Sequence, residues 1–168
     1  AEDKIGATSK LNHTVDVGPP ALGDAVNLVG EQGAKISSTL TSGDHAAANV
    51  MIQAGASLLN HFFDKSDDHT FAAAMRSQYI GYARRGAFSA NDETSAESSA
   101  VSSALLTRKS PKTMKQDDKM NTLHMVAAIT NTSKGLKGIS TTGATASVGS
   151  ISNLMNADLF GANETDDD

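Results

Sequence analysis

The side chains best suited to chemistry gather in one run, His61-Phe-Phe-Asp64-Lys-Ser-Asp-Asp68-His69. Imidazole and carboxylate are the donor types that a zinc-like ion takes. On an unbroken helix His61, Asp64 and Asp68 would share one face. The spacing follows no established metal motif, however, and Asp-Asp-His after Ser66 is the composition of a helix-capping loop. The run is therefore read as a capped loop, with His61, Asp64, Asp68 and His69 as weak metal candidates.

The other chemical candidates are thinner. Arg108, Lys109, Lys112 and Lys115 form a basic segment with Lys119 just beyond it. Such a segment suits electrostatic contact with phosphate, a lipid head group or an acidic partner, including the acidic tail of a neighbouring copy; a solvated surface explains it equally simply. Arg84-Arg85 fits the negative pole at the end of a helix. His13, His45 and His124 are isolated, and no serine stands in a nucleophile motif such as Gly-x-Ser-x-Gly. Gly30-Glu-Gln-Gly33 is no phosphate loop, because no strand precedes it and no Gly-Lys-Ser/Thr follows. No cofactor is implied, and a non-enzymatic protein is expected.

Composition narrows the class further. Ala, Ser, Gly and Thr fill about two fifths of the 168 residues, aromatics are 4% and cysteine is absent. Disulfides and thiolate metal sites are therefore excluded. Small side chains bury little area each, but they let helix backbones approach closely. The net charge of −5 gives no long-range attraction to nucleic acid or anionic lipid. No run reaches the length of a membrane span. Localisation is open: a soluble chain is expected, with a signal peptide absent or already removed.

The elements that must position these residues begin at Pro20. Leu22, Val26, Val29, Gly33, Ile36 and Leu40 recur at spacings of four and three, the seam of a helix wound on a partner. A second apolar run, Asp44–Phe63, places Ala47, Met51, Ala54 and Leu58 on one stripe, with Val50, Leu59 and Phe62 widening it. Gly43 between them leaves open a hairpin or one long bent helix. A third helix over His69–Arg85 aligns Phe71, Met75, Tyr79 and Tyr82, with Gly86 as its stop. A fourth, capped by Asn91 or Asp92, is Ser/Ala-rich and weakly apolar. A fifth starts at Pro111 and runs to Lys134, using Met114, Met120, Leu123, Ala127 and Thr130, with Val126 and Ile129 beside them. A sixth carries Val148, Ile151, Met155 and Leu159.

The expected architecture is all-α, with five or six helices packed through small residues. An extended N-terminal arm occupies 1–19 and a helical domain 20–134. A Gly-rich joint spans 135–143, a terminal amphipathic helix 144–160, and an acidic, disordered tail 161–168. The leading functional expectation is a structural or assembly subunit, as in a shell, filament or virion. It would self-associate through Leu22, Val26, Val29, Gly33, Ile36, Leu40, Met51 and Leu58, with copies of itself and other assembly proteins as partners. The alternative is a helical interaction or effector module acting on a partner protein or membrane surface; a weaker one is a metal-binding protein or enzyme using His61, Asp64, Asp68 and His69.

Overall fold

A computed structural model describes residues 22–161 except Lys137; the side chains of Leu22, Ala25, Asp158, Leu159 and Phe160 also lie outside that description. The expected arm and almost all of the expected tail fall outside it too. The described residues form six helices and no strand. These are α1 (Leu22–Thr41), α2 (His45–Lys65), α3 (Thr70–Ser89), α4 (Glu93–Thr107), α5 (Gln116–Gly135) and α6 (Thr141–Gly161), with a 3-10 turn at Pro111–Thr113 between α4 and α5. The chain is all-α, as its periodicity indicates.

Helices α1 and α3 follow their apolar pattern. Val29, Gly33, Ile36 and Leu40 form the buried face of α1. Gly43, at φ +85°, turns the chain, and the Asp44 carboxylate accepts from the Ala47 amide to cap α2. The heptad therefore belongs to a hairpin. Helix α1 packs against both α2 and α3 of the same chain. An added Cβ on Gly33 would lie 3.6 Å from the Tyr82 hydroxyl, and one on Gly55 would lie 2.1 Å from the Tyr79 ring. Tyr79 fills that space and donates its hydroxyl to the Val29 carbonyl at 3.2 Å. One aromatic side chain thus ties α3 to both α1 and α2.

Three expected boundaries shift. The helix α3 passes through Gly86 to Ser89, because that glycine admits Asn49 from α2 rather than ending the helix; a Cβ there would sit 3.3 Å from the Asn49 amide oxygen. Pro111 opens a 3-10 turn rather than α5, following Ser110 in a left-handed conformation at φ 44°. Finally, α6 begins at Thr141, inside the expected joint. Ser140 caps it by accepting from the Gly143 amide at 3.0 Å, and it also donates to Glu97 on α4 at 2.5 Å.

The weakest sequence signal occupies the centre. Helix α4 packs against α2, α3, α5 and α6. Asp92 and Ser95 close a reciprocal capping box at its start. Its buried residues are Ala96, Ser99, Ala100, Ser102, Ser103, Leu106 and Thr107. Small side chains on every flank let four neighbours approach one short helix.

Candidate functional site

The structure disperses the sequence candidates into scaffolding. Asp64 accepts a hydrogen bond from Lys109 at 2.7 Å, and that bond holds its carboxyl below the ordinary range. Asp68 accepts from the Thr70 amide at 2.9 Å, which lowers its carboxyl likewise. His69 packs its ring edge-on against Phe63. These two carboxylates and the His69 ring each have a partner, and among the described residues no group of three His, Asp or Glu side chains converges as a metal site.

The basic segment is fastened from below. Arg76 of α3, only 1% exposed, donates to the carbonyls of Lys109 and Ser110 at 2.7 and 3.2 Å, and to the Thr113 hydroxyl at 2.5 Å. Its guanidinium also lies 4.6 Å from the Phe63 ring centre. Burial lowers its pKa to about 10, opposed by the nearby Asp118, so it stays charged at neutral pH. Asp118 is itself buried and accepts from the Ser77 hydroxyl at 2.5 Å. Arg108, Lys112 and Lys115 remain on the surface around this turn, while Lys109 is committed to Asp64.

The expected self-association seam is used up within one copy. Val29, Gly33, Ile36 and Leu40 are buried, and Val26, Met51 and Leu58 pack half-buried against the same core. The Leu22 side chain lies outside the described residues. Tyr79 and Tyr82 occupy the space a second copy would need. Association through those buried seam positions would require opening the fold.

Exposed apolar residues group on α5 and α6, whereas Leu28, Val50 and Phe88 stand out singly on α1, α2 and α3. Ser150, Leu154 and Ala157 turn α6 toward the core, and Gly143 is buried with them. Val148, Ile151 and Met155 then fall on the outer side, with Val148 67% and Met155 60% exposed. On α5, Thr122, Met125, Val126, Ile129 and Ser133 are buried, and Met120 and Leu123 are exposed. Of the expected α5 stripe, Met120, Leu123, Ala127 and Thr130 face out, while Met114 and the flanking Val126 and Ile129 are buried; the described part of the expected α6 stripe is its outer face. Buried hydroxyls explain how this is stable: Thr122, Ser133 and Ser150 each donate to the carbonyl four residues back, at 2.8, 2.8 and 3.0 Å. A small side chain with its polar group satisfied by its own helix can enter a core that a hydropathy pattern assigns to larger ones.

No protein-family model, curated protein or solved structure matches this chain. Its surface must be read from its own residues. Residues 141–157 of α6 carry no charged side chain, so the stripe of Val148, Ile151 and Met155 is both apolar and electrically neutral. Such a face can bury area against another apolar helix, but it offers no acid, base or nucleophile for catalysis and no cation for an anionic head group. No described helix is long and apolar enough to cross a membrane.

Proposed function

We propose that the chain is a non-enzymatic assembly subunit that associates with copies of itself, and that the outer stripe of α6 is the contact. One observation carries this reading: three large apolar residues at helical spacing lie exposed on a helix whose core side is filled by Ser, Ala, Gly and Leu. Residues 141–157 carry no charge, so that stretch meets no like-charge repulsion when it is paired with itself across a two-fold axis, and such a patch is self-complementary. Small neighbours at Gly149 and Ser152 keep the approach close.

Magnitude limits what the stripe can do alone. A stable interface buries roughly 800 Å² on each partner, more than three side chains supply. The expected dimer is therefore weak, on the order of micromolar, unless a larger assembly repeats the contact.

Sedimentation velocity across a concentration series tests this directly. Dimer should form as concentration rises, and Met155→Lys should weaken it by about tenfold or more, because a charge would be buried without a partner. A chain that stays monomeric at millimolar concentration would end the assembly reading and favour docking of the same stripe on a different protein.

A further inference from the structure

At the opposite chemical extreme from α6, a cavity of about 430 Å³ opens where the end of α1, the start of α2 and the end of α3 meet. Its walls are Leu40, Thr41, His45, Arg84, Arg85, Phe88 and Ser89. This volume lies in the range of small-molecule sites, roughly 300–1,000 Å³. We propose that this cavity binds a small organic phosphate whose ester group is flat and apolar.

Two arginines and one histidine line the cavity, and no carboxylate does. Neither Arg84 nor Arg85 forms an ion pair among the described residues, in a chain whose net charge is −5. Their position near the C-terminal end of α3 satisfies the helix dipole, but the dipole does not require them to converge with His45 on one concave surface. The nearest acid along the chain, Asp44, is engaged in capping α2. The two rim hydroxyls donate to their own helices, Thr41 to the Ser37 carbonyl and Ser89 to that of Arg85. The cations therefore carry the recognition, and paired guanidinium groups are the protein's strongest donors to phosphate.

The apolar component is also on the wall. Phe88 is 60% exposed, and the Arg84 guanidinium lies 5.4 Å from its ring centre; that of Arg85 lies 5.3 Å from the Tyr82 ring. Aromatic contacts hold both charged planes near the mouth, and Phe88 offers a flat surface for a ring. The His45 Nδ1 is sealed from solvent without a hydrogen-bond partner, so no hydrogen bond commits that nitrogen elsewhere.

Isothermal titration with phenyl phosphate, inorganic phosphate and phenol tests the site on the full chain. Phenyl phosphate should bind about tenfold tighter than inorganic phosphate, with no saturable binding of phenol. Arg84→Gln and Arg85→Gln should each weaken phenyl phosphate by about tenfold. Phe88→Ala should bring phenyl phosphate and inorganic phosphate to within about threefold of each other. Arg108→Gln, at the distant basic turn, should change nothing. All these side chains are exposed, and thermal melts check that each variant is folded. Equal affinity for phosphate and phenyl phosphate, equal loss in Arg108→Gln, or no binding at millimolar ligand would overturn the proposal. The assembly reading survives any of those outcomes, since α6 contributes nothing to this cavity.

Discussion

The two halves of this bundle solve the same packing problem with different chemistry. In α1–α3 the large side chains go inward: Val29, Ile36, Ile52, Leu59, Tyr79 and Ile80 are sealed from solvent, and Gly55 makes room for the Tyr79 ring. In α4–α6 the sealed positions include Ser99, Ser102, Ser103, Thr107, Thr122 and Ser150. The larger residues Met120, Leu123, Val148 and Met155 point outward there. Hydroxyl packing draws helices together through close backbone contact, whereas apolar packing draws them together by removing area from water. The first half leaves Leu28, Val50 and Phe88 exposed, one on each helix. The second half groups its exposed apolar residues, two on α5 and three on α6, and that grouping is what supports the proposed association.

The sharpest way to separate the halves is to add one methyl to each. Gly55→Ala sets a Cβ against the buried Tyr79 ring, which has no room to retreat, and should cost about 3 kcal/mol. At Gly149 nothing lies within 4 Å of an added Cβ, so Gly149→Ala should stabilise by about 0.5–1 kcal/mol through helix propensity. Urea unfolding of the two variants decides the matter. Similar midpoints would mean that the two halves are packed alike.

A smaller effect probes the hydroxyl core itself. The Thr107 hydroxyl donates within α4, to the carbonyls of Ser103 and Ala104, and accepts from the Asn153 amide of α6 at 3.2 Å. Thr107→Val should cost about 1–2 kcal/mol by leaving that amide without its acceptor. The Ser103 hydroxyl, four residues earlier, is buried and has no partner among the described residues. Ser103→Ala should therefore be neutral or stabilising by up to about 1 kcal/mol. If both variants lose stability equally, the hydroxyls act only as volume.

How much of this was legible depended on the same division. The seam of α1 and the aromatic line of α3 were readable because large residues recur on the face that is buried. Helix α2 is apolar nearly all round, so its stripe was read only in part: the flanking Leu59 and Phe62 are buried, but Ala48, Ile52 and Ala56 are buried too, while Ala54 and Val50 face out. On α5 and α6 hydropathy chose the outer faces, since a Ser or Thr bonded to its own helix scores as polar yet packs as small. Gly86 was taken for a stop because one sequence cannot show a neighbour such as Asn49. The Arg84–Arg85 pair was visible, but its cavity depends on three helix ends meeting, which spacing along one helix does not reveal. Nor could sequence foresee that Arg76 would be buried beneath the basic turn.

The smallest expected effect lies at the caps, where the halves are alike. Asp68 before α3 and Asp92 before α4 each accept from a backbone amide near their helix start, and those bonds lower both carboxyls from the ordinary 3.8. The folded state therefore binds these protons less readily than the unfolded chain. Their contribution is fully present above 3.8 and is lost as pH falls through the lower folded values. Arg76, at about 10 in the fold, is charged in both states throughout that window and adds no slope. Asparagine caps a helix about as well as aspartate, so Asp68→Asn and Asp92→Asn should change little at neutral pH while flattening the loss of stability in acid. Urea midpoints at neutral pH and below 3.8 read both quantities. A steeper acid loss in either variant would show that the bonded carboxylate is not what the folded helix prefers.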